Sequence, residues 1–360
     1  MKYKADWDEA RERLTDLWEG RDLDRPCISV LAPSGKAVKA PPAAKTPEAF
    51  WLDPAIVVAR SRNEIESLWW GGESIPSALL MCGWVVCLGG EPRFESSTIW
   101  FEHKEFDLGN KPNLTFDPDS PWCRKYETCL RAMAEAAGKD DFMVGSSGGL
   151  PANDLFSMQM GTEKFLMNLV DHPEWMQAAI VQGGEAQAKA AHYYASITRQ
   201  KHDFWYGCAG WMPFWAPKPF HPTQSDVSCM LSPEMYVEFV KPELDICAGE
   251  HGAVWYHLDG SDARQHLPTL LSLPYLRVVQ YTPTPSEPPN GPAHMEFYKQ
   301  IQAAGRILHI QLPKEHVEPL VRSLDPRFMM LHTWCESIAE GQELLAAAKK
   351  WTDARRICGH

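Results

Sequence analysis

The stretch that decides the fold is "AVWYHLDG", residues 253–260, together with three segments that repeat its form further on. An apolar lead-in ends on His257 and Asp259, two residues apart, and then a glycine. On a strand, side chains at i and i+2 point to the same side, so both polar groups enter one volume. "LRVVQYTP" (276–283), "RILHIQLP" (306–313) and "FMMLHTWC" (328–335) are built alike: an apolar run closing on polar, chemically able residues. Each of the four runs is followed by a stretch with helical spacing, the last being "SIAEGQELLAAAKKWTDA". Such alternation means parallel strands covered by helices.

Moving toward the N-terminus, "PEMYVEFVKPELDICAGEHG" (233–252) reads as a helix, with Ser232 as N-cap and Pro233 at its first position. "DFMVGSSGG" (141–149) reads as a strand ending in a small-residue loop. "DPAIVVARSRNEIESLWW" (53–70) has helical periodicity, "PCISVLA" (26–32) is a strand, and a charged amphipathic helix covers about 5–19. No strand–GxGxxG–helix unit is present, so a dinucleotide-binding doubly wound sheet has no support. Over 360 residues the pattern favours an α/β fold, a single (α/β)8 TIM barrel at 71–360 with a helical N-terminal extension at 1–70.

Composition narrows the function classes. The net charge of −12 argues against nucleic acid as a partner. There is no apolar run long enough to span a membrane, and "MKYKADWDEARERL" lacks a signal peptide's apolar core, so a cytoplasmic location is expected. Ten irregularly spaced cysteines are too sparse for a disulfide scaffold. Fifteen tryptophans are unusual, and "WYGCAGWMPFW" (205–215) suggests an aromatic-walled cleft. Trp205, Trp211 and Trp215, with Gln280, are therefore the candidate cofactor-binding residues.

The polar strand ends are His257 and Asp259, Gln280 and Tyr281, His309 and Gln311, and His332 and Cys335. In (α/β)8 barrels the active site lies at the C-terminal ends of the strands. A histidine nitrogen, a carboxylate and a thiolate from His257, Asp259 and Cys335 would suit Zn2+ with a fourth position left open. The plainer reading pairs His257 with Asp259 by hydrogen bond and leaves Cys335 an inert thiol. Asp226, in "HPTQSDVSCMLSPEMYVEF" (221–239), either caps a turn or joins the same site.

Several of these segments together resemble the uroporphyrinogen decarboxylase superfamily. They are "QSDVSCMLSPEMYVEFVKPEL", "YHLDG", "VVQYTP", "LLAAAKKW" and "MVGSSGGLPANDLFSMQMGTEKFLMNLVDHPEWM". The resemblance covers roughly 120–350 and implies one (α/β)8 barrel. Two branches can be told apart. The decarboxylases carry an Arg-Gln-Ala-Gly-Arg segment near the N-terminus and a Gly-His-Gly after the last strand, where this chain has "DRPCISVLAPSGKA" and "HTWCES". The zinc- and corrinoid-dependent methyltransferases use a His-x-Cys at the fifth strand and a Cys after the eighth. This chain matches with His257 and Cys335 and departs with Asp259 in place of the middle cysteine.

The resemblance thus implies a zinc-assisted, corrinoid-linked methyltransferase acting on a small methylated molecule. His257, Asp259 and Cys335 would hold zinc, while Asp226, Tyr281 and His309 would act as catalytic residues orienting substrate. Methylcobalamin would reside on a partner corrinoid protein, since no Asp-x-His-x-x-Gly segment is present here. The exchange of thiolate for carboxylate favours an oxygen-linked substrate over a thiol. The chain is compatible with a homodimer. Two alternatives remain at this level: a metal-free decarboxylase-like lyase, with His257 and Asp259 as acid–base pair, and a non-catalytic barrel that binds a small ligand.

Overall fold

The computed structural model describes residues 1–80, 89–138, 141–146, 151–199, 205–208 and 212–357. Among the described residues thirteen strands follow one another: β1 (Cys27–Pro33), β2 (Leu68–Gly72), β3 (Ser77–Leu80), β4 (Pro92–Phe94), β5 (Ile99–Phe101), β6 (Met143–Ser146) and β7 (Trp205–Cys208) come first. Then come β8 (Pro213–Ala216), β9 (His221–Gln224), β10 (Val254–Asp259), β11 (Leu276–Thr282), β12 (Ile307–Gln311) and β13 (Met329–Trp334). Seven of them form one sheet in the order β2-β1-β13-β12-β11-β10-β9. From β1 through β9 all neighbours run parallel, and only β2 returns antiparallel on the edge.

Helices link these parallel strands, as the alternation in the sequence requires. The helix Pro233–Phe239 begins where Ser232 accepts the Met235 amide, with Pro233 in the first turn. β3 and β6 form a separate parallel pair, and β7 and β8 an antiparallel hairpin. The described strands give a mixed α/β fold with six parallel strands in one sheet. The closed eight-stranded ring expected from the sequence goes beyond them. The boundary at residue 70 needs correction as well: segment 1–70 supplies β1 and most of β2, with β1 lying inside the sheet against β13. Apart from the buried Ser29, "PCISVLA" is apolar because both of its faces are covered.

The period of two sorts each strand onto two faces. Tyr256, Leu258, Val279, Tyr281, Leu308, Ile310 and Leu331 pack with Leu267, Leu270, Ile301 and Leu320 of the covering helices. Trp255, Val278, Ile307 and Met330 face the other way and pack with Phe214, Trp215 and Phe220. The N-terminal helix Trp7–Glu19 closes this second face at the N-terminal ends of the strands. It buries Trp7, Leu14, Leu17 and Trp18 there, and Trp7 meets Trp215 edge-on at 5.8 Å between ring centroids. Burying four such side chains is worth on the order of 6 kcal/mol or more, which is enough to dock the helix despite its charged outer side. Among the described residues no helix is long and apolar enough to cross a membrane.

Candidate functional site

Above the apolar layer, the second face turns polar. The same period of two that buries Trp255 and Val278 brings His257 and Gln280 onto this face, in direct register on β10 and β11. One step higher stand Asp259 and Thr282, again in register. The sequence thus changes from filling a core to lining a site within one strand.

His257 is almost fully buried, and its Nδ1 donates to Oε1 of Gln280. The other end of that amide, Nε2, donates to Thr282 Oγ1 at 3.0 Å. With Nδ1 carrying the ring proton, Nε2 is the lone-pair nitrogen, and it faces Asp259 Oδ1 at 4.0 Å. Burial pushes the imidazole below its ordinary value, so the ring is neutral.

Asp226 completes the group from a different element. It opens the short 3-10 turn Asp226–Met230 that follows β9. Its place is set by Asp154, a buried carboxylate on the helix Ala152–Met160, which accepts the backbone N–H groups of Asp226 and Val227 at 3.0 and 2.9 Å. The Asp226 side chain accepts from Gln224 Nε2 at 2.7 Å. One ligand-capable atom each from Asp226, His257 and Asp259 lies within 4.8 Å of the others. Asp226 keeps contact with solvent, yet the surrounding protein and the neighbouring Asp154 and Asp259 charges push its carboxyl up to about 8. Burial also raises Asp154, against the opposing pull of the two N–H groups it accepts. Three carboxylates beside one neutral imidazole repel one another, and either a proton or a cation relieves that repulsion.

A cavity of about 560 Å³ opens at the C-terminal ends of β11, β12 and β13. Thr282, Gln311, Thr333 and Trp334 line it from the strands, with Asn290 and Lys314 from the loops. Thr282 is the link, since it borders the cavity, pairs with Asp259 in register and accepts from Gln280.

The remaining candidates fall elsewhere. Cys335 follows β13 and packs in the helix-side cluster with Ile28, Val30 and Leu331, outside the ligand group. Burial and the nearby Glu340 raise its thiol above the ordinary value. Tyr281 is one residue off the site's face. It is buried under the helices, receives a hydrogen bond from Arg264 Nε at 3.1 Å and donates to Glu287 at 2.9 Å. His309 lies on the correct face, in register with Gln280, but both ring nitrogens are engaged. Trp255 Nε1 donates to its Nδ1 at 3.0 Å, and its Nε2 meets His332 Nε2 at 2.7 Å. Trp215 packs against Trp7 at the opposite end from the site. Trp205 pairs with Ala216 in the β7–β8 hairpin, and its side chain, like all of Trp211, lies outside the described residues. Asp154, Gln224, Thr282 and Trp334 belong to the site and were not singled out from the sequence. Parity with Gln280 and His332 marks Thr282 and Trp334, whereas Asp154 has no local signal at all.

No known family profile matches the chain, and no curated protein matches it. Among solved structures, a methyltransferase from Methanosarcina mazei resembles it with a TM-score of 0.57 at 13% sequence identity. The match covers 95% of this chain and 98% of that one. At that identity the likeness is one of fold: the chain has the fold of that methyltransferase along nearly its whole length.

Proposed function

We propose that the protein is a metal-dependent methyltransferase of the uroporphyrinogen decarboxylase superfamily, acting in the cytoplasm on a small methylated molecule. In this reading its parallel strands are arcs of one (α/β)8 barrel. The observation that carries the proposal is the convergence of Asp226, His257 and Asp259 at strand C-termini, within a methyltransferase-like fold. One imidazole nitrogen and two carboxylates fit a divalent cation with room left for a further ligand, zinc being the cation the superfamily resemblance implies. Asp226 takes the place first given to Cys335. The donor set is then harder than a thiolate set, which favours a methyl group carried on oxygen or nitrogen.

When bound, the cation supplies Lewis acidity toward the heteroatom that carries the methyl group. The rest falls to side chains. His257 and the two aspartates would hold the ion, and Asp154 would fix Asp226 through its backbone. The cavity beside Thr282 would seat the substrate, and Trp334, 51% exposed, would offer it a flat apolar surface. A separate corrinoid protein would accept the methyl group.

The test is isothermal titration of metal-stripped protein with Zn2+, followed by methyl transfer from a panel of methyl ethers and methylamines to cob(I)alamin. One equivalent bound, lost in Asp226→Ala and kept in Cys335→Ser, supports the reading. No saturable binding by the wild type overturns the metal, and turnover without metal overturns the mechanism.

A further inference from the structure

We infer that Gln280 is the positioning residue of this site: its amide holds His257 in the one tautomer that presents Nε2 to the carboxylates. The inference rests on the proposed cation site and adds the residue that prepares it.

The geometry is specific. Gln280 is fully buried between His257 and Thr282. An amide has two unlike ends, so its orientation dictates which ring nitrogen of a neighbouring histidine carries the proton. Here Nε2 donates to Thr282 Oγ1, which turns Oε1 toward His257 Nδ1. An oxygen facing Nδ1 can only accept, so the proton stays on Nδ1 and the lone pair on Nε2. Turned the other way, the same amide would donate to Nδ1 and put the proton on Nε2, on the side of Asp259. Thr282 meets the Nε2 end of the amide here, through a hydroxyl able to accept or to donate. Because Thr282 also lines the cavity, a molecule bound there touches the amide's partner, and through it the amide and the imidazole. Metal-binding histidines are commonly oriented in this way by an acceptor on their second nitrogen, and removing that acceptor typically weakens metal binding about 10–100-fold.

Two variants separate this role from packing. Gln280→Leu keeps the approximate size and removes the acceptor, and Zn2+ should bind about 10–100-fold more weakly. Gln280→Glu can accept from Nδ1 but cannot donate to it, so Zn2+ affinity should stay within about threefold of wild type. Circular dichroism checks that both variants fold. The direct readout needs no metal: nitrogen NMR of histidine-labelled wild type, with the resonance assigned by loss in His257→Gln, should show the proton on Nδ1. A proton on Nε2, or equal loss of Zn2+ binding in folded Glu and Leu variants, overturns the inference. If the wild type binds no Zn2+ at all, the cation reading fails, while the tautomer measurement still decides this one.

Discussion

Cys335 and His257 are turned to opposite faces of one sheet. Cys335 packs among Ile28, Val30 and Leu331 beneath the helices, whereas His257 faces Gln280 and Asp259. Cys335→Ser should therefore behave as a core substitution that costs about 1 kcal/mol or somewhat more, with Zn2+ affinity unchanged. Denaturant unfolding alongside metal titration checks it. Loss of metal with stability intact would return Cys335 to the ligand set.

Asp226 carries the pH dependence. An acid whose value is raised by folding favours the folded state while it is protonated. That contribution is complete below the unfolded value near 4 and is lost as pH rises through about 8. Metal-free Asp226→Asn should consequently melt at least about 2 °C above wild type at pH 9, with the gap closing at pH 5. Thermal melts in a chelator test this, and equal melting temperatures at pH 9 would contradict it. Zn2+ should bind the wild type more tightly above pH 8, where no proton competes for the carboxylate.

Tyr281 sits in a side-chain network on the helix side of the sheet. Its hydroxyl joins Arg264 and Glu287, and Arg264 pairs with Glu287 at 2.9 Å. Tyr281→Phe should cost about 1–2 kcal/mol of stability and leave metal binding untouched. A change in Zn2+ affinity would show that the helix-side network reaches the site.

At Gly72 the backbone admits no side chain. Its φ is +58°, and a Cβ there would lie 2.1 Å from the Ile28 carbonyl oxygen. Gly72→Ala should destabilise by about 2 kcal/mol or more, because both the left-handed backbone and the antiparallel β1–β2 pairing would be strained. Unfolding curves that match wild type would count against this packing.

The sequence carried the four C-terminal strand–helix units and the placement of His257 and Asp259, because strand periodicity is local and those strands are strongly apolar. The same periodicity carries more. Counting by twos from Met330 through His332 to Trp334 leaves Cys335 on the helix side, and the same count separates Gln280 from Tyr281. Asp154 was out of reach for a different reason. Its partners are the amides of Asp226 and Val227, 72 and 73 positions away, and a side chain bonded to backbone leaves no pairing pattern of residue types. The antiparallel return of β2 onto β1 was equally hidden, since "LWW" extends a helical spacing until Gly71 and Gly72 let the chain lie against Ile28.

The docked N-terminal helix fills one end of the sheet's inner face with Trp7 and Trp18. Among the described residues, the cavity beside Thr282 and Trp334 opens at the other end. A methyl donor and a bulky protein-borne acceptor would then share one approach. Because no side chain is assigned to hold the methyl group between them, both would have to be present at once, with initial-rate plots of intersecting lines.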